Sequence, residues 1–145
     1  MSKYFSIIFL ICFISCNKIE TQKTLNQNDL NYIKSLKLLD KNEIIYKFYS
    51  ENTNETAGNF FTNKRVATYW IDKRNSKNNQ LKYAFYKDII KIETRKRAGA
   101  TYCPYALITK KDNTKFEVFV DGSEQDIKSF FEDLLFEWKK NAKSI

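Results

Sequence analysis

Gly58-Asn59-Phe60-Phe61-Thr62-Asn63-Lys64-Arg65-Val66 is the stretch whose reading decides how this chain folds. Asn59 to Thr62 and Arg65 to Ile71 are short runs of aromatic, β-branched and polar residues that suit strands. Asn63-Lys64 between them supplies the polar pair of a tight turn. The second run places Val66, Thr68 and Trp70 on one face, because successive strand residues point to opposite sides. The segment predicts a strand, a turn and a second strand.

Outward from it, the same grammar repeats. Upstream, Ile44, Tyr46 and Phe48 alternate with Ile45, Lys47 and Tyr49, which predicts a strand closed by the polar loop Ser50 to Gly58. Before that, Asn28 is a candidate cap for a short helix with Leu30, Ile33, Leu36, Leu38 and Leu39 on its apolar face. Downstream, Asp72 to Asn79 reads as a charged hairpin loop. Leu81 to Tyr86 and Ile89 to Thr94 read as strands. Arg95 to Pro104 is a longer loop holding Gly99. Tyr105 to Thr109 and Lys115 to Val120 form a hairpin around Asp112-Asn113.

The end of the chain gives the clearest helix. Ser123 can cap it, with Asp126 three residues on. Ile127, Phe130, Phe131, Leu134, Leu135 and Trp138 recur at steps of three and one, a broad apolar stripe for core packing. Lys139, Lys140 and Lys143 sit where cations favour the helix dipole. Glu and Lys mix on its polar face, which argues against a helix lying in a membrane surface.

In order, the expectation is seven short strands and then one amphipathic helix. Such a sheet closes into a partly open barrel whose open end the helix can plug. Gly58, the apolar pair Phe60-Phe61, Thr62, Arg65 and Val66 resemble the corresponding segment of bacterial pleckstrin-homology-like (PH-like) and GRAM-type domains. There it spans the second strand, its turn and the third strand. Asn42-Glu43-Ile44-Ile45-Tyr46 is similar to their first strand. The resemblance covers roughly residues 28–140. It implies an α+β fold: a PH-like, partly open barrel of about seven antiparallel strands, capped by a C-terminal α-helix and preceded by a short N-terminal helix.

The N-terminus carries a different kind of information. Lys3, a greasy run from Tyr4 to Ile14, and Ser15 before Cys16 have the layout of a secretory signal. The run is about half of what spans a bilayer as a helix. Phe13-Ile14-Ser15-Cys16 resembles the lipobox of bacterial lipoproteins, although Phe13 stands where leucine is usual. The resemblance implies that Cys16 is acylated, palmitate among its chains, and becomes the mature N-terminus. The organisation expected is a lipoprotein signal peptide over 1–15, a lipidated N-terminus and tether over 16–26, and the PH-like domain over 27–145. Asn17 lacks the aspartate that marks inner-membrane retention, and only Glu20 is acidic nearby. The expected location is therefore the cell envelope, at the outer membrane and facing the periplasm.

Composition narrows the chemistry. The 145 residues contain no histidine, which removes the commonest general base, the Ser-His-Asp and Cys-His arrangements and most zinc sites. Three glycines leave no phosphate-cradling loop. Neither cysteines nor carboxylates have metal-ligand spacing. No enzyme activity, cofactor or metal is expected. With Cys12 in the signal and Cys16 acylated, Cys103 has no disulfide partner and reads as a buried small apolar residue.

The formal charge of +8 drops to +7 once the signal, with Lys3, is removed. A basic surface suits anionic lipid or an acidic protein. The loop Ser50 to Gly58 holds Glu51 and Glu55 and no base, unlike the phosphoinositide-binding loop of eukaryotic PH domains. Bases gather elsewhere, most densely at Arg95-Lys96-Arg97. The candidate anion or partner site comprises Lys91, Arg95, Lys96, Arg97 and Lys110. Nucleic acid is not expected for an exported protein. The leading expectation is a lipid-anchored, non-catalytic envelope module that binds a protein or peptide, or the anionic membrane surface. The alternative is an immunity- or inhibitor-type lipoprotein that neutralises a toxin or enzyme.

Overall fold

The computed structural model describes residues 18–96 and 103–142. The signal-like residues 1–15, Cys16 and Arg97 lie outside them. Among the described residues the order is α1 (Gln27–Ser35), β1 (Ile45–Tyr49), β2 (Ala57–Thr62), β3 (Arg65–Trp70), β4 (Gln80–Phe85), β5 (Ile89–Arg95), β6 (Tyr105–Lys110), β7 (Lys115–Phe119) and α2 (Glu124–Ala142). The seven strands fall where the alternating runs predict them, and Asn63-Lys64 is the β2–β3 turn.

The partly open barrel expected from sequence takes the form of two separate sheets. β1 to β4 form one antiparallel sheet in chain order, and β5 to β7 form another. Among the described residues no ladder joins them, so the strands make two facing layers and no closed barrel. The break is local. Tyr86–Asp88 is a single 3-10 turn between β4 and β5. Tyr86 is buried there and its hydroxyl donates to the Thr62 carbonyl at 2.6 Å. An aromatic anchored inward at that point turns the chain out of the first sheet.

Between the layers lies the main core. Phe61, Val66 and Ala84 of the first sheet meet Ile92, Ala106, Ile108, Phe116 and Val118 of the second. Phe130, Phe131 and Leu134 of α2 enter the same cluster, and the Phe130 ring meets Phe61 edge-on at 5.2 Å. The apolar stripe read from sequence is this face. Its start is fixed as expected, by the Asp126 amide donating to Ser123 Oγ at 3.1 Å. Two polar links orient the helix. Lys47 Nζ of β1 pairs with Asp133 at 2.7 Å, and Trp138 Nε1 donates to the Ile89 carbonyl at the start of β5 at 3.3 Å. α2 is thus tied to an edge strand of each sheet, β1 and β5.

A second core lies on the outer face of the first sheet. Phe48, Phe60, Ala67 and Tyr69 pack against Leu30 and Ile33 of α1 and against Leu25, Leu38 and Leu39. With both faces covered, all six residues of β2 are buried. The helix cap is Asn26, two residues earlier than Asn28; its Oδ1 accepts from the Asp29 amide at 2.9 Å. The helix also stops sooner than the apolar spacing suggests. Lys37 adopts φ 59°, its amide bonds the Lys34 carbonyl, and the Leu38 amide bonds the Ile33 carbonyl. That is a Schellman stop, with Leu38 packing back on the buried Ile33. Leu38 and Leu39 reach the core from beyond the helix.

Two side-chain networks lock this frame. Arg65 is buried and grips Glu43 with both arms, Nε to Oε1 at 2.9 Å and Nη2 to Oε2 at 2.7 Å. Its Nη2 also pairs with Asp40 at 2.9 Å, while the guanidinium stacks on the rings of Phe85 and Tyr83. Thr62 Oγ1 donates to Glu43 and accepts from the amides of Lys64 and Arg65, which holds the turn. The threonine and arginine of the diagnostic segment are therefore one buried polar knot. The second network ties the layers together. The buried Asn59 on β2 accepts at Oδ1 from the Phe119 amide of β7 and from Thr68 Oγ1, each at 2.9 Å.

Candidate functional site

With α2 in one corner, the opposite corner, between edge strands β4 and β7, is left open. A groove of about 680 Å³ runs there, lined by Leu81 to Phe85 of β4 and by Asp88, Lys110 to Asp112 and Thr114 to Phe116. It continues into a smaller hollow of about 340 Å³ lined by Trp70, Gln80, Lys82, Glu51, Glu117 and Phe119. Lys82 borders both.

Local sequence explains why this corner stays bare. α1 covers β1 to β3 but stops short of β4, so Leu81 and Tyr83 remain 40% and 43% exposed. The rings of Tyr83 and Phe85 meet edge-on at 5.6 Å and form a wall kept in place by Arg65 behind them. Across the groove, Asp112 caps the β6–β7 turn: its Oδ1 accepts from the Thr114 amide at 3.0 Å and hydroxyl at 2.6 Å. Those bonds hold its carboxyl below the usual range, so it stays ionised beside Lys110 Nζ at 3.4 Å. Asn113, with φ 65°, completes the turn. Four lysines, 82, 110, 111 and 115, then face two aspartates, 88 and 112. The groove is cationic at its hairpin end and acidic, through Glu51 and Glu117, at the other.

The residues singled out from sequence separate. Lys91 and Arg95 lie on β5 and share Glu93, whose Oε1 is 3.1 Å from Lys91 Nζ and 3.8 Å from Arg95 Nη2. That basic ladder is partly neutralised by its own strand. Lys96 is exposed just past β5, and Arg97 lies outside the described residues. Of the five, Lys110 enters the groove. Lys82 and Lys115 were missed because they stand apart in sequence, and only folding brings them to one corner. The signal that could have exposed them was β4 itself, where Leu81 and Tyr83 share a face that no predicted element covers.

Two other residues differ in exposure from what their types suggest. Arg65, although a base next to Lys64 in sequence, is buried and adds nothing to the basic surface. Cys103 is exposed and unpaired, where a buried residue was expected. It sits outside β6, just before Pro104, and no core strand carries it inward. Three buried tyrosines are shifted by packing. Burial pushes the Tyr49 phenol up to about 12 and raises Tyr69 and Tyr86 further. The hydroxyls of Tyr69 and Tyr86 are committed to the carbonyls of Asn54 and Thr62. Among the described residues no cluster of three metal-ligating side chains occurs, and no helix is long and apolar enough to cross a membrane.

One solved structure carries the comparison. The chain superposes with a TM-score of 0.51 on a DUF1696 family protein with a pleckstrin-homology domain from Shewanella loihica PV-4. The match covers 81% of this chain and 97% of that one, at 16% identity. The fold is PH-like. At that identity the likeness speaks for architecture alone. No family model and no curated protein matches the chain.

Proposed function

We propose that this chain is a non-catalytic interaction module, tethered to the envelope through an acylated Cys16, that docks a protein partner in the β4/β7 groove. The observation that carries the reading is the groove itself: an uncovered corner of the PH-like frame with an aromatic wall and a surplus of lysines. Clefts with an apolar lining and a few placed charges are the usual form of a binding site. PH-like domains are generally non-catalytic, which supports the same class. The tether rests on the lipobox-like Phe13 to Cys16, and Asn17, with only Glu20 acidic nearby, favours the periplasm-facing outer membrane.

The membrane surface is the rival ligand, and one variant separates the two. Full-length Cys16→Ser protein is expected to be soluble or uncleaved in cells, whereas the wild type fractionates with membranes. The purified variant should stay at the bottom of a flotation gradient with anionic vesicles at about 0.15 M salt, since Glu93 already answers Lys91 and Arg95. A Cys16→Ser protein that remains processed and membrane-bound would contradict the tether. Flotation with anionic vesicles, lost on raising salt, would make the lipid surface the ligand in place of a protein.

A further inference from the structure

The hydrogen-bond register of β4 specifies what kind of segment the groove takes. The Tyr86 amide donates to the Lys64 carbonyl at 3.2 Å, which makes residues 64 and 86 a bonded pair. Bonded pairs alternate along an antiparallel ladder. Val66/Ala84, Thr68/Lys82 and Trp70/Gln80 therefore turn their backbones toward each other. Leu81, Tyr83 and Phe85 point their N–H and C=O groups away from β3, along the open edge. β7 shows the same logic. The Val120 amide bonds Pro104 and the Lys110 amide bonds Thr114, so Lys115, Glu117 and Phe119 face outward. The Asn59 side chain already accepts the outward Phe119 amide, as this register requires.

Resting on the groove reading above, we propose that β4 takes an extended acidic segment of the partner protein as a fifth strand of the first sheet. Three observations point the same way. The edge offers a row of backbone donors and acceptors at Leu81, Tyr83 and Phe85, the template for strand addition. The exposed Leu81 and Tyr83 side chains lie two residues apart, so they meet alternate apolar side chains of an added strand. Charge selects the sign of the remaining side chains. At the hairpin end Asp112 is taken by Lys110, and among the described residues Lys82, Lys111 and Lys115 have no ion-pair partner, which leaves three cations there against Asp88; Glu51 and Glu117 lie at the far end. A second copy of this chain would bring its own lysines to the same corner, so an acidic segment of another protein is the occupant.

The experiment selects binders of full-length Cys16→Ser protein from a randomised decapeptide display library, then maps the enriched peptides by amide NMR and hydrogen exchange. Enriched sequences should alternate Asp or Glu with apolar residues. Their binding should slow exchange of the Leu81, Tyr83 and Phe85 amides at least about tenfold. Lys111→Glu with Lys115→Glu should weaken binding about tenfold or more. Leu81→Pro should do the same while leaving the circular dichroism spectrum intact, because proline is tolerated where the amide faces outward. Acidic peptides that shift groove resonances without protecting those amides, and that ignore Leu81→Pro, would overturn strand addition and leave groove docking standing. Enrichment of non-acidic peptides would overturn the proposal as well. Peptides that map to other surfaces, or none at all, would sink both readings.

Discussion

Replacing Arg65 with methionine is expected to cost about 3–5 kcal/mol of folding stability, the range for removing one partner of a buried ion pair. The reason is what remains. Glu43 keeps its hydrogen bonds from Thr62 and from the Asp40 amide but loses the bidentate guanidinium, and its side chain is fully buried. An unanswered carboxylate in that position is more damaging than the missing arginine contacts. Adding Glu43→Leu to Arg65→Met should therefore recover more than half of the loss, because the buried charge is gone. Urea denaturation of both variants measures this. Equal or greater instability in the double variant would mean that the contacts, and not the orphaned charge, set the cost. The wall of the groove gives a second readout, since Arg65 stacks behind Tyr83 and Phe85.

Gly58→Ala is expected to cost about 3 kcal/mol, at the upper end of the usual range for overpacking a well-filled core. A Cβ at Gly58 would stand 2.3 Å from Tyr69 Cε1 and 2.5 Å from Cζ, deep inside contact distance. The ring has little room to yield: Tyr69 is buried between Phe48, Phe60 and Tyr32, and its hydroxyl bonds the Asn54 carbonyl. Tyr69→Leu in the same chain should relieve part of the clash. Thermal unfolding followed by circular dichroism tests both, and a Gly58→Ala protein within about 0.5 kcal/mol of wild type would show that the outer core is looser than drawn. The glycine of the diagnostic segment is thus explained by close approach to a neighbouring ring.

How much of this was legible before folding depends on the range of each cause. The strands, the Asn63-Lys64 turn and the α2 stripe are written in periods of two and about 3.6 residues, and a reader of the chain finds them. Nothing local says that Phe48, Phe60 and Tyr69 face a second core under α1, because a strand buried on both faces has no polar side to orient it. Nor does spacing show that Lys37 enters the left-handed region and ends α1 early. Nor does it show where the strands divide into two sheets, at the turn where Tyr86 is buried and bonds the Thr62 carbonyl. The site was hidden for the same reason. Arg95-Lys96-Arg97 is dense in sequence and so draws attention, yet Glu93 sits within reach of Lys91 and Arg95. Lys82 and Lys115 are isolated in sequence and meet across a corner.

The β4/β7 corner is the surface on which a partner is proposed to dock. A photo-crosslinking amino acid at Tyr83 of the full-length protein in living cells tests this, with Ile90 on β5, which is somewhat more exposed, as the control. Docking there should give a discrete adduct from position 83 that disappears when Lys110, Lys111 and Lys115 are changed to glutamate, and none from position 90. A discrete adduct from position 90 with none from position 83, or a position-83 adduct indifferent to the lysines, would contradict it.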